Sequence, residues 1–101
     1  MKKLLYLLLF VSYSSYSQDY SKAIELNPND SLAYYNRGNS NYKLQDYIGA
    51  IADYSKAIEL NPNYSDAYNN RGLSKAKLQD YIGAIADYSK AIELNPNDSD
   101  T

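Results

Sequence analysis

The stretch LQDYIGAIADYSKAIELNPN at Leu44–Asn63 recurs letter for letter at Leu78–Asn97, and its second half, DYSKAIELNPN, also stands at Asp19–Asn29. The three copies follow one another at a constant interval of 34 residues. A fixed period in this range is typical of stacked structural repeats, in which each unit packs mainly on its neighbours. We therefore expect a repeat architecture and not a single compact core.

The repeated stretch has the pattern of an amphipathic helix. Asp46 precedes its apolar residues and can cap the first amides of a helix. Pro62 has no amide hydrogen to continue the helix, and it disfavours the helical conformation at Asn61. We predict a helix of about four turns between these signals. Its apolar residues recur at steps of three and four along one face, at Tyr47, Ala50, Ile51, Tyr54, Ala57 and Ile58.

The segment ahead of this helix, Asp30–Gln45, reads as a second helix with a glycine in its middle. A glycine inside a helix costs about 1 kcal/mol relative to alanine. It is usually present because a neighbouring element approaches closely there. We therefore expect Gly38 and Gly72 to face the following helix near Ala50 and Ala84. Each unit would then be a helix, a short turn and another helix.

These features resemble the tetratricopeptide repeat, with Ala-Tyr-x-Asn-Arg-Gly in the first helix of each unit and Ala-Ile-Glu-Leu-Asn-Pro closing the second. The resemblance implies an all-α solenoid of helix-turn-helix repeats, with two full repeats at 31–64 and 65–98. A truncated repeat at 18–30, consisting of a second helix only, would precede them, and a short tail at 99–101 would follow. It also implies packing roles for Tyr34, Gly38, Ala50, Ala57, Pro62, Tyr68, Gly72, Ala84, Ala91 and Pro96.

The sequence departs from the family pattern at three positions of each repeat. A frequent leucine, a favoured aromatic residue and a turn glycine are replaced at Arg37/Arg71, Asn41/Lys75 and Gln45/Gln79, respectively. Glutamine is strained in a turn that requires a positive φ. These departures predict lower stability but the same fold. Asp53, which is flanked by Ala52 and Tyr54, is predicted to lie on the solvated outer face.

Residues 1–17 have the three-part pattern of a secretory signal peptide. Two lysines near the start precede the apolar run Leu4–Val11, and small polar residues and tyrosines follow. The run is shorter than the roughly 20 residues that span a bilayer, so no stable membrane anchor is expected after cleavage. We predict cleavage between Ser17 and Gln18 and export to the periplasm or the exterior. The alternative is that the segment forms an apolar first helix of the repeat stack.

The composition argues against several classes of function. The 101 residues include no cysteine and no histidine, which removes thiolate chemistry, the usual zinc ligands and the commonest general base. The net charge of −2 gives no basic footprint for nucleic acid. Asp46 and Asp53 do not form a catalytic pair, because Asp46 is explained as a cap. The Asn-Pro-Asn turns lack the ligand spacing of a calcium loop. We expect no enzyme activity, cofactor or metal.

What remains for function is the surface of the first helices. The resemblance implies that they line a concave groove, which receives an extended peptide or a partner helix. Asparagine can bond a peptide backbone through both its donor and its acceptor. Tyr35 and Asn69 stand where chaperone-tail binders carry a leading lysine, which argues against that ligand. The candidate partner-binding residues are Tyr35, Asn36, Asn39, Tyr42, Lys43, Asn69, Asn70, Leu73 and Lys77.

Two functional hypotheses follow for the chain. The first is a protein-binding module or adaptor without catalytic activity. The second is a truncated repeat array or fragment that has no independent binding role and gains structure mainly through self-association. The last helix bears on both, because part of its apolar face has no following helix to cover it. We therefore expect self-association or binding of a partner helix through the stripe Tyr81, Ala84, Ile85, Tyr88, Ala91 and Ile92.

Overall fold

A computed structural model describes residues 19–97, and these residues form helices joined by tight turns. The prediction of an all-α fold is confirmed, since no strand occurs within this range. The predicted signal peptide, its cleavage site and the C-terminal tail from residue 98 onward lie outside the described residues. The helices are α1 (residues 19–26), α2 (Ser31–Lys43), α3 (Tyr47–Leu60), α4 (Ser65–Lys77) and α5 (Tyr81–Leu94).

The helices stack in the order of the chain, as a helix-turn-helix solenoid requires. The helix α2 packs on α3, and α4 packs on α5, which gives two equivalent helix pairs. The pairs are joined mainly by the contact of α3 with α4, and α2 touches α4 along one edge. Among the described residues, no helix is both long and apolar enough to cross a membrane.

Aspartate caps start three of the four complete helices. Asp46 caps α3 by accepting a hydrogen bond from the amide of Gly49 at 2.9 Å, and Asp80 caps α5 in the same way. Asp30 caps α2, but its counterpart at α4 is Tyr64, which gives no side-chain cap. The predicted helix between Asp46 and the Asn-Pro turn is therefore confirmed, and α4 has the least supported N-terminus of these helices.

The core between the helices consists mainly of small residues. Gly38 and Gly72 are buried, as are the alanines at the helix contacts, so that the helices approach closely. A Cβ added to Gly72 would lie 3.2 Å from the carbonyl oxygen of Ala84 and 2.8 Å from the ring of Tyr88. A Cβ on Gly38 would lie 2.7 Å from the ring of Tyr54. The predicted close approach is confirmed, although the ring of a tyrosine makes the nearest contact at both positions.

The prediction that Asp53 lies on the solvated face is wrong. Asp53 is 6% exposed, and its carboxylate accepts hydrogen bonds from Arg37 Nη2 at 2.8 Å and from Arg37 Nε at 2.9 Å. Asn41 Nδ2 donates a further bond to the same carboxylate at 2.9 Å. Arg37 and Asn41 are two of the departures from the family pattern. They replace apolar contacts with a bidentate ion pair that joins α2 to α3.

The second repeat contains the equivalent ion pair with a different third member. Arg71 binds the buried Asp87 through Nε at 2.9 Å and Nη2 at 2.7 Å, and Lys75 Nζ lies 3.0 Å from the same carboxylate. Burial acts to raise the pKa of Asp87, but the hydrogen bonds and charges of Arg71 and Lys75 outweigh it and hold the pKa below its ordinary value. Asp87 is therefore a stabilising anion in the folded protein.

The lowered pKa of Asp87 predicts sensitivity to acid. The unfolded carboxyl titrates at about pH 3.9, so the stabilisation is fully present above that pH and is lost as the pH falls through the lower folded value. We expect Asp87→Asn to be less stable than the natural chain near neutral pH, and the difference to shrink at about pH 3 or below. Urea unfolding at both pH values measures this, and an equal difference at both would contradict it.

The turns after α2 and α4 hold glutamine in a left-handed backbone conformation. Gln45 has φ 63° and Gln79 has φ 66°. This conformation costs a residue with a Cβ about 1–2 kcal/mol, and glycine avoids that cost at some expense in chain entropy. We therefore expect Gln45→Gly to raise the free energy of unfolding by about 0.5–1 kcal/mol. Urea unfolding tests this, with Gln45→Ala as the control that should bring no gain.

Candidate functional site

A pocket of about 220 Å³ opens beside α2 and α4. The first helix pair supplies residues from both of its helices, and α4 supplies the remainder. The lining combines two tyrosine rings, one leucine, two side-chain amides and one lysine. These residues are Asn39, Tyr42, Lys43, Tyr54, Asn70 and Leu73.

Hydrogen bonds orient the two amides of the pocket. The Tyr54 hydroxyl donates to Asn39 Oδ1, and Asn70 Nδ2 donates to the same oxygen at 3.1 Å. Asn70 Nδ2 also donates to the Tyr35 hydroxyl oxygen at 3.0 Å. Within residues 19–97, Asn39 Nδ2 and Asn70 Oδ1 make no hydrogen bond to protein. The pocket therefore offers one oriented donor and one oriented acceptor.

Tyrosines form a cluster behind the amides. The Tyr35 ring stacks on Tyr64 at 4.9 Å between centroids, and it lies tilted at 5.8 Å from Tyr54. Burial raises the pKa of the Tyr54 hydroxyl, and the neighbouring Tyr35 raises it further, so the hydroxyl stays protonated and can donate. Tyr42 at the pocket packs edge-on against Tyr47 at 5.4 Å. The cluster holds α2, α3 and the start of α4 together beneath the pocket.

The structure brings together five of the nine predicted partner-binding residues. Tyr35 does not line the pocket but bonds Asn70 from the tyrosine cluster. Asn36, Asn69 and Lys77 do not line it either, and their role in binding stays a prediction. The five residues at the pocket are Asn39, Tyr42, Lys43, Asn70 and Leu73.

Tyr54 is the pocket residue that the sequence analysis missed. It lies on the apolar stripe of α3, where periodicity indicates a core residue, and it is indeed only 1% exposed. Its hydroxyl nevertheless reaches the Asn39 amide. The identical Tyr88 of α5 does not line this pocket. Local sequence cannot distinguish Tyr54 from Tyr88, because the sequences around the two tyrosines are the same.

The side chains at the pocket are suited to binding a ligand. Among residues 19–97, no three carboxylates lie together in a way that could hold a metal ion. The buried carboxylates of Asp53 and Asp87 are already bound to cationic side chains. The pocket can contribute two amide hydrogen bonds, apolar contact from Tyr42 and Leu73, and one positive charge from Lys43.

Comparison with solved structures finds TPR domains with the same fold. The first TPR of Spaghetti (RPAP3), bound to the HSP90 peptide SRMEEVD, is 28% identical and aligns over 97% of this chain and 78% of its own, with a TM-score of 0.84. The Arabidopsis OM64 TPR domain is 27% identical over 91% of this chain and 76% of its own, also with a TM-score of 0.84.

A third similar structure is the TPR2B domain of yeast Sti1 in a pHsp70 complex, which is 26% identical over 92% of this chain and 74% of its own, with a TM-score of 0.81. The comparison with curated proteins gives no match. The family model of the tetratricopeptide repeat matches residues 31–64 and 65–98, which contain the helix pairs α2–α3 and α4–α5. The chain therefore belongs to the tetratricopeptide repeat family.

Proposed function

We propose that this protein is a binding module that holds an extended peptide segment of a partner protein in the pocket beside α2 and α4, without catalysing a reaction. The observation that carries the proposal is the oriented pair of amides. Asn39 Nδ2 is a donor and Asn70 Oδ1 an acceptor without a protein partner in the described residues. A peptide unit presents the complementary acceptor and donor.

The remaining lining residues suggest the side chains of the ligand. Tyr42 and Leu73 offer apolar contact, which favours an aliphatic or aromatic anchor on the peptide. Lys43 lies at the same pocket and favours an acidic residue near that anchor. The ligand therefore combines one apolar anchor with a neighbouring carboxylate and is bound partly through its backbone.

The similar structures support a peptide ligand but do not supply its sequence. The RPAP3 domain is bound to an HSP90 peptide, and the Sti1 domain is in a complex with pHsp70. In this chain the position of the leading lysine is occupied by Tyr35, whose ring is engaged with Tyr64 and whose hydroxyl accepts from Asn70. We therefore propose that the ligand is an internal peptide segment rather than a C-terminal chaperone tail.

Leu73→Ser is expected to weaken peptide binding roughly tenfold, because an apolar contact of about 1.4 kcal/mol is lost. The probe is a peptide selected on the full chain from a displayed random library, and its dissociation constant is measured by fluorescence anisotropy. The matched control is Leu78→Ser, because Leu78 is 46% exposed and Leu73 39% exposed, but only Leu73 lines the pocket. Equal losses in both variants would place the binding site elsewhere, and failure to select any peptide would contradict the proposed function.

We also propose that the chain is exported. This proposal is supported by the sequence of residues 1–17, which lie outside the described residues, through their charged start, short apolar run and small residues before Gln18. Mass spectrometry of the protein produced in a secreting bacterium should find a mature chain that begins at Gln18. An N-terminal Met1 on the exported, soluble protein would contradict cleavage.

A further inference from the structure

Two helices with the same sequence have different surroundings. The helices α3 and α5 are both YIGAIADYSKAIEL, and α4 packs on α3. Ile51 of α3 is half-buried, whereas the equivalent Ile85 of α5 is 64% exposed. The same change from more buried to more exposed occurs along one face of α5, at Tyr81, Ile85, Tyr88, Ser89 and Ile92. We call these five residues the α5 face.

The opposite side of the helix provides a reference. Ile48 of α3 is 73% exposed, and the equivalent Ile82 of α5 is 87% exposed. The neighbours of α3 therefore cover one face of it only. Tyr81 is more exposed than Tyr47 also because Tyr42, which packs edge-on against Tyr47, has Ala76 as its counterpart in the second repeat. The exposed isoleucines and tyrosine form an apolar surface. The same face of α3 is in contact with a first helix, so another first helix is the expected partner of the α5 face.

The contact between a second helix and the next first helix recurs within the chain. Arg71 Nη1 donates to Ser55 Oγ at 3.2 Å, which links α4 to α3. Arg37 Nη1 donates to Ser21 Oγ at 3.2 Å, which links α2 to α1. Ser89 of α5 holds the same place in the repeated DYSKAIELNPN text, and it is exposed. The α5 face thus offers a third copy of a contact that the chain makes twice.

We propose that the α5 face docks on α2 of a second copy of this chain, where it takes the place of α1. The sequence of α1 and the turn after it, Asp19–Asn29, recurs without change at the end of α5 and in the turn that follows. Ser89 would accept a hydrogen bond from Arg37 of the second copy, as Ser21 accepts one from Arg37 within one chain. The end of α5 therefore has the same sequence as the segment that already contacts α2 within one chain.

The α5 helix also carries more apolar surface than the segment it would replace. Ile85 lies two positions before Asp87, the counterpart of Asp19, so the described α1 has no equivalent of this isoleucine. Docking of α5 removes this exposed isoleucine from water, which favours the exchange. This exchange is opposed by α1, which a short turn tethers to α2. The tether gives α1 a high effective concentration in its competition with α5 for the surface of α2. Assembly should therefore increase with protein concentration.

The geometry of the contact predicts an open series of copies. One chain gives its α5 face and receives another chain on α2, so the two surfaces of the contact are different. Each added copy again presents a free α5 face. None of the five α5-face residues lines the proposed peptide pocket, and neither does Arg37 on the receiving helix, although other residues of α2 do.

The first experiment measures the mass of the full chain by light scattering after size exclusion, over a wide concentration series. The average mass should rise with concentration and pass that of a dimer. Ile85→Glu should stay monomeric, with a dissociation constant raised at least roughly tenfold. Ile82→Glu is the matched control on the same helix and should associate like the natural chain. A natural chain that stays monomeric throughout, or equal losses in the two variants, would overturn the proposal.

The second experiment distinguishes α5-on-α2 docking from pairing of two α5 helices. A tagged Ile85→Glu chain keeps its α2 surface and should capture the untagged natural chain as a terminated pair. If α5 paired with α5, the mass of the natural chain would stop at a dimer and the tagged variant would capture nothing; either result overturns the proposal. Circular dichroism of Ile85→Glu should show unchanged helix content, because Ile85 is exposed in the single chain. Tyr81→Glu, on the same face, should repeat the result.

Discussion

Replacement of Asp53 by leucine is expected to lower the free energy of unfolding by about 3–5 kcal/mol. The Asp53 carboxylate is buried and neutralises Arg37, and it also accepts a bond from Asn41. Loss of the carboxylate leaves the half-buried guanidinium without its counterion and the Asn41 amide without its acceptor. Single domains have a total stability of about 5–15 kcal/mol, so this loss removes a large fraction of the stability and should shift the unfolding midpoint to a much lower urea concentration. Urea unfolding followed by circular dichroism measures the effect.

Two controls separate the ion pair from other effects of this substitution. Asp66→Leu changes the same residue type at an exposed position in the first turn of α4 and should cost at most about 1 kcal/mol, because only its interaction with the helix dipole is lost. The double variant Arg37→Met with Asp53→Leu removes both charges and should recover much of the loss, since an apolar pair can replace a buried ion pair. If the double variant were as unstable as Asp53→Leu alone, the unpaired arginine would not be the cause.

Substitution of the two packing glycines should give the second large effect, and the two positions should differ. Gly38→Leu is expected to lower the free energy of unfolding by about 3 kcal/mol and Gly72→Leu by about 1–3 kcal/mol. Both side chains would collide with a tyrosine ring of the following helix. Tyr54 is almost fully buried and cannot move aside. Tyr88 on α5 is half-buried and can move, so the contact that remains at Gly72 is the one of 3.2 Å with the carbonyl oxygen of Ala84. The collision outweighs the gain of about 1 kcal/mol from replacing glycine inside a helix.

Thermal and urea unfolding of both leucine variants, together with the matching alanine variants, test this difference. Alanine should show the same order with smaller losses, because its Cβ alone already meets the tyrosine ring at 2.7 Å for Gly38 and 2.8 Å for Gly72. Unchanged or increased stability of Gly72→Leu would mean that the glycine lies on an open face. Equal losses at both positions would mean that the freedom of Tyr88 does not matter.

Most of the fold could be predicted from local sequence. The caps at Asp46 and Asp80, the turn prolines and the 34-residue period determine where each second helix begins and ends. The strained glutamine turns could also be predicted, because glutamine stands where the family has glycine, which adopts a positive φ without strain. These features act within a few residues along the chain, and short-range rules are sufficient for them.

The candidate site could be predicted only in part. The face of α2 and α4 that carries Asn39 and Asn70 was identified from the resemblance, and the structure brings those two amides together. The contribution of Tyr54 was missed, because periodicity shows that a residue is buried but not what its polar end reaches. The ion pair of Asp53 with Arg37 was missed for a related reason, although both repeats carry an arginine 16 residues before an aspartate.

The sequence by itself determined the helices, their order and the positions where they come close. The tertiary structure alone decided which copy of each residue is buried. Ile51 and Ile85 lie in identical helices, and so do Tyr54 and Tyr88, but α3 packs against both α2 and α4, whereas among α2–α5 the helix α5 packs against α4 alone. Helix formation depends on neighbours three and four residues away, which the repeated text keeps constant. Burial depends on which other helix lies against the surface, and identical letters in α3 and α5 carry no information about that neighbour.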